Sequence, residues 1–153
     1  MEQVLRMFHH LEWADRRVLE ALRAAPGADQ ALKLFAHLLS AEQIWLARLQ
    51  GEKQDGVELW PELSLEECSS LLECNRVGYV SYLEKLDLIN LGADCSYTNT
   101  KGEPFVTKVG DILTHVALHG SYHRGQVMAL LSREGLSVVT TDYIQFVREM
   151  NSL

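Results

Sequence analysis

Apolar residues recur three and four apart over residues 2–24, at Val4, Leu5, Phe8, Leu11, Ala14, Val18, Leu19 and Leu22. That spacing gathers them on one side of a 3.6-residue turn and predicts an amphipathic helix. Pro26-Gly27 breaks it. The pattern resumes from Asp29 to Leu49 through Leu32, Phe35, Leu39, Ile44, Trp45 and Leu49. Asp29 can cap this second helix and Gly51 can stop it. Residues 51–61 lose the periodicity, turn polar and close on Pro61, which reads as a loop. Ser64-Leu-Glu-Glu67 is a capping box, in which the serine and the glutamate satisfy each other's unpaired backbone donors. It opens a third helix reaching about Leu86, with Leu71, Val77, Val80 and Leu83 as its expected core positions.

The character changes between Ala93 and Val109. Cys95, Tyr97 and Thr98, then Phe105, Val106 and Thr107, flank the polar stretch Asn99-Thr-Lys-Gly102. This predicts a short β-hairpin or an extended crossover loop. A fourth long helix follows from about Asp111 to Glu134, stopped at Gly135, and a last amphipathic turn or two runs from Asp142 to Met150. There is no internal repeat. The fold expected is all-α: one domain over residues 1–153, a four-helix bundle with a long crossover connection and a short hairpin or extended loop before the last long helix.

Composition narrows the function classes. A chain of 153 residues, 47% hydrophobic and 23% charged, is an ordinary globular protein. Its net charge of −7 and pI near 5.3, with no run of Lys or Arg, exclude nucleic acid as a partner, since phosphate neutralisation needs a basic face. No stretch approaches the ~18 apolar residues of a membrane span. The N-terminus interrupts any signal-peptide core with charges and histidines. Cys68, Cys74 and Cys95 are odd in number and match no metal spacing, so reduced thiols in the cytoplasm are expected.

Three of the six histidines, His115, His119 and His123, stand four apart on the fourth helix. Each step of four turns about 40° round the axis, so the three form one stripe. Ile112, Val116, Val127 and Leu130 share the sector of His119 and His123, which therefore face the core; His115 lies at the edge. Buried imidazoles need partners. Two of them about 5–6 Å apart at Cβ can converge on one metal ion. A third ligand must come from another segment. His37, set among apolar residues in Leu34-Phe-Ala-His-Leu-Leu39, is the first source; His9, His10 and His115 stay open on spacing alone, with His9 and His10 expected to be partly exposed.

His119-Gly-Ser-Tyr-His-Arg-Gly-Gln126 resembles the signature H-x-x-x-H-R-G-Q of the DinB (damage-inducible) family. Leu11-Glu-Trp-Ala-Asp-Arg-Arg-Val-Leu19 resembles that family's first helix, and His37-Leu-Leu-Ser-Ala-Glu-Gln-Ile-Trp-Leu-Ala-Arg48 its second. Tyr97 to Gly102 is similar to its polar turn, and Thr141 to Phe146 to its closing segment. The resemblance implies a four-helix bundle of unusual connectivity, a homodimer, and a three-histidine metal site on His37, His119 and His123. It also implies thiol S-transferase or isomerase chemistry in some relatives, with low-molecular-weight thiols such as bacillithiol or mycothiol.

The cofactor expected is one divalent transition metal, zinc or nickel first and iron next. Three protein ligands leave a position open for water or substrate, the pattern of catalytic rather than structural zinc. The leading expectation is a metal-dependent enzyme activating a thiol or water against a small molecule, as a thiol S-transferase or a hydrolase. The alternative is a metal-stabilised dimeric binding or stress-response module without turnover, signalled by a fourth protein ligand. Around the site, Gln126 is expected either to orient a ligand or to pack, and Tyr122 to pack. Arg124 is expected to pair with Asp142 or Glu149, Glu42 to lie off the metal, and Trp13, Trp45 and Trp60 to be core or interface aromatics.

Overall fold

The computed structural model describes residues 1–52, 56–86 and 88–152; residues 53–55 of the expected 51–61 loop lie outside them. The chain runs through α1 (Glu2–Arg23), α2 (Asp29–Gln50), α3 (Leu65–Glu84), a short α4 (Leu88–Leu91), β1 (Asp94–Thr98), β2 (Pro104–Lys108), α5 (Val109–Arg133) and α6 (Tyr143–Met150). The four long helices and the hairpin follow the expected order, with ends shifted by about two residues, the usual uncertainty of helix termini.

Local chemistry sets those ends. Gly51 takes the left-handed conformation (φ 69°) that closes α2, where a side chain would be strained. The capping box forms in full at the start of α3: Ser64 Oγ accepts from the Glu67 amide and the Glu67 carboxylate accepts from the Ser64 amide. Asp29 and Asp142 make no side-chain cap; Asp29 is the first residue of α2 instead. In the hairpin, Asn99 Oδ1 accepts from the amides of Lys101 and Glu103, folding the turn between β1 and β2. The strands pair antiparallel, with Ser96 opposite Val106.

Helices α1 and α2 each pack against both α3 and α5 and have little contact with each other. The first two helices, α1 and α2, thus stand diagonally in the bundle. The core divides into two apolar clusters. One joins Val18, Leu22, Phe35, Leu39, Cys68, Leu72, Val127 and Leu131; the other joins Phe8, Leu11, Leu46, Tyr79, Leu83, Ile112 and Val116. Between them in sequence, each long helix contributes a buried polar residue: Asp15, Glu42, Asn75 and Arg124.

The third helix differs from expectation. Val77 and Val80 are 52% and 38% exposed, while Cys68, Leu72, Asn75, Tyr79 and Leu83 are buried. The apolar count along α3 chose valines; the buried face includes an asparagine because other helices supply its partners. Finally α6 returns to α1, where Phe146 packs against His10 and Trp13, and Trp13 Nε1 donates to Glu149 at 3.0 Å. Among the described residues no helix is long and apolar enough to cross a membrane.

Candidate metal centre

The contact between α2 and α5 brings His37, His119 and His123 together, with one ligand-capable nitrogen from each within 4.8 Å of the others. Helical spacing accounts for half of this: residues four apart on α5 stack on one face, and the His119 and His123 rings are 4.3 Å apart. The third ring comes from α2, where His37 lies 4.8 Å from His123 and 5.9 Å from His119, ring to ring. Among the described residues the group has three members, His37 and His123 buried and His119 half-buried.

The outer nitrogens set the direction of the inner ones. His37 Nδ1 lies 2.7 Å from the Leu59 carbonyl, which only accepts, so Nδ1 carries the proton and Nε2 offers its lone pair. His123 Nδ1 meets Gln126 Oε1 at 2.7 Å, one turn on, with the same consequence. His119 Nε2 and His123 Nε2 then stand 3.0 Å apart. Without a cation between them, such a contact needs a proton on one nitrogen. One nitrogen from each of the three rings lies within 4.8 Å of the others, close enough for one ion to be shared among them. Two rings oriented by acceptors, with lone pairs converging, fit a divalent cation.

Electrostatics agrees. Burial, then the neighbouring His123, His115 and His37, lowers the His119 pKa from 6.5 to about 4. Burial also lowers that of His37, opposed by its bond to Leu59. Neutral imidazole is the ligating form, so the pocket keeps its donors ready at neutral pH.

A profile of the DinB family matches residues 1–151 of the sequence. The chain belongs to the DinB family. Protein DinB of Bacillus subtilis (strain 168) is 23% identical to it over 156 residues, covering 90% of each chain. The crystal structure of a DinB-like protein from Bacillus cereus ATCC 10987 shares its fold, with a TM-score of 0.66 over 92% of this chain and 96% of that one, at 18% identity.

Around the histidines of this DinB-family chain several side chains depart from expectation. Trp60 is no core aromatic: it is 50% exposed and stacks flat on His37, rings 3.6 Å apart and 6° from parallel. It follows Leu59, so one short stretch after the loop both hydrogen-bonds the imidazole and covers its face. Nothing periodic marks such a residue; an aromatic beside a proline in a polar stretch was the only available hint. Tyr122 is 64% exposed with its ring against His123, so it does not pack inward. Gln126 orients His123, one of its two expected roles. His115 lies outside the group of three; its ring sits 5.3 Å from His119 and 5.1 Å from Trp45.

Two further expectations are corrected. Arg124 does not reach Asp142 or Glu149: it is fully buried, and its Nη1 donates to Asp15 at 2.8 Å. His10 is buried, not partly exposed, because α6 covers it and its Nε2 donates to the Thr141 carbonyl at 2.8 Å. Glu42 lies off the metal group, as its helical angle required, but is buried beside Asp15. Burial, then the charge of Asp15, holds the Glu42 carboxyl well above the usual range. Burial raises Asp15 too, with Arg124 opposing, so Glu42 keeps the proton and Asp15 the charge. His9 is exposed.

Proposed function

We propose that this protein is a cytoplasmic, homodimeric metalloenzyme whose His37, His119 and His123 hold one divalent transition metal, zinc or nickel first and iron next. Its reaction joins a low-molecular-weight thiol, or water, to a small electrophilic substrate, in the manner of a thiol S-transferase or a hydrolase. The observation that carries this reading is the convergence of three imidazole nitrogens with no fourth ligand in the group among the described residues. A divalent ion with three protein ligands and an open position lowers the pKa of a thiol or water enough to make it a nucleophile at neutral pH.

The chain's own groups have separate tasks. Leu59 and Gln126 hold the His37 and His123 rings in the tautomer that ligates. Trp60 shields one face of His37 from water. His115 and Tyr122, both exposed, border the site on its solvent side, where a small substrate can enter. Arg124 and Glu42 are engaged elsewhere and take no part in the chemistry.

The test is elemental analysis of protein purified without a histidine tag, beside the His37→Ala variant, followed by a thiol-consumption assay with a small alkylating electrophile. About one metal per chain, lost in the variant, with consumption that follows metal content, is the expected result. Metal without turnover over a range of thiols and electrophiles would favour the non-catalytic binding module. Absence of metal after reconstitution would overturn the centre itself.

A further inference from the structure

The buried polar layer takes no part in the proposed chemistry, yet one of its members adjoins a candidate ligand. Arg124 follows His123 and Gly120 follows His119, so the pair forms a second stripe on α5 about 100° round from the imidazoles. Arg124 folds back along its own helix over Gly120, where a Cβ would stand 2.8 Å from Nη1 and 3.4 Å from Cζ. The guanidinium occupies the place of that missing side chain. Its Nη1 donates to Asp15 Oδ1 of α1 at 2.8 Å and its Nη2 to Ser121 Oγ at 3.2 Å, with Arg124 and Asp15 side chains 0% and 1% exposed. Glu42, on the helix that carries His37, lies beside Asp15, and Asn75 of α3 donates to the Leu39 carbonyl at 2.9 Å and to Glu42 Oε2 at 3.4 Å.

We infer that the buried Asp15–Arg124 pair is a positioning device for the metal centre, locking the roll and axial register of α5 so that His119 and His123 meet His37 across the α2–α5 contact. This rests on the three-histidine reading above. Apolar contacts alone hold a helix loosely, because cores tolerate repacking at constant volume. A charge-assisted bond between two helices has a narrow geometry. The magnitudes favour the lock: a roll of about 10° moves a nitrogen carried about 7 Å from the helix axis by about 1 Å. Metal–ligand distances tolerate about 0.2 Å. The α1 side of α5 therefore governs whether the ligands on it arrive in place.

Two variants separate positioning from mere packing, with cobalt(II) as the probe, read from its visible absorption and by competition with zinc. Asp15→Leu combined with Arg124→Met removes both charges and keeps apolar volume, an exchange that commonly leaves folding stability intact. The expected result is an unchanged helical spectrum and melting temperature, with cobalt affinity reduced about tenfold or more. Gly120→Ala adds one methyl where the guanidinium lies and improves helix propensity. If Arg124 only packs, this variant changes melting temperature alone and binds cobalt as before; the inference expects weaker cobalt binding. It also decides the matter if the double variant does not fold. Unchanged cobalt affinity in Gly120→Ala, or in a folded double variant, overturns the positioning role. His119→Ala runs alongside: loss of cobalt there alone rejects this inference and leaves the ligands standing, whereas cobalt binding like the parent in all variants rejects both.

Discussion

Two clusters of polar residues in this bundle solve the problem of burial in opposite ways. In the layer of Asp15, Arg124, Glu42 and Asn75, a guanidinium meets a carboxylate and an amide meets a carbonyl and a carboxyl, while Glu42 Oε1 and Arg124 Nε have no hydrogen-bond partner among the described residues. Charge closes within the protein. In the cluster of His37, His119 and His123, two rings have spent their N–H groups on outside acceptors and turn lone pairs toward the third. No side chain of the group supplies the positive charge. A buried polar cluster that is complementary offsets its own burial cost, whereas one made of like acceptors awaits a cation.

The contrast should be starkest on deletion. Arg124→Ala leaves the Asp15 carboxylate buried without its partner, and a loss of about 3–5 kcal/mol in urea unfolding is expected. For a chain of this size that lowers the melting temperature by roughly 10 °C. His123→Ala measured without metal should cost far less stability while abolishing stoichiometric metal. Equal stability losses for the two would erase the distinction between the clusters.

A middle-sized effect is expected at Gln126. Gln126→Leu removes the acceptor that fixes the His123 tautomer, so metal affinity should fall about 10- to 100-fold with stability little changed. Affinity equal to the parent would mean that the hydrogen bond does not orient the ring.

The smallest effect sharpens the charge argument. In metal-free protein, His119 titrates near 4 when folded and near 6.5 when unfolded, so the unfolded chain binds more protons in between. The contribution of His119 to stability should therefore fall as pH drops from about 6.5 to about 4, and His119→Ala should remove it from the curve. A pH curve left unchanged by His119→Ala would show that the imidazole is not held neutral. Asp15 and Glu42, whose carboxyls are raised by burial, contribute a slope of the opposite sign, so the difference between parent and variant isolates His119.

Much of this was legible along the chain because it is written in short-range periodicity. The histidines four apart, the apolar sector they share, the capping box at Ser64 and Glu67 and the turn at Asn99 each involve residues within a few positions of one another, where helix and turn geometry dictates who meets whom. The DinB resemblance added His37 as the third candidate ligand, which spacing alone left open among other histidines. What failed shares a different origin. Val77 and Val80 looked like core on apolar character, Trp60 like a core or interface aromatic, and Arg124 like the partner of Asp142 or Glu149. In each case the deciding partner lies far away in sequence.

Sequence by itself thus determined the helices, their order, the acidic surface and the two imidazoles of α5, since each follows from local sterics, solvation or charge. Only the tertiary structure decided that α1 and α2 stand diagonally and that Trp60 lies over His37. It also decided that one polar residue from each long helix is buried at mid-bundle, with Asp15 reaching an arginine 109 residues away. Burying a charge is unfavourable until its counter-charge is brought to it, and that meeting is a property of packed helices rather than of any one of them.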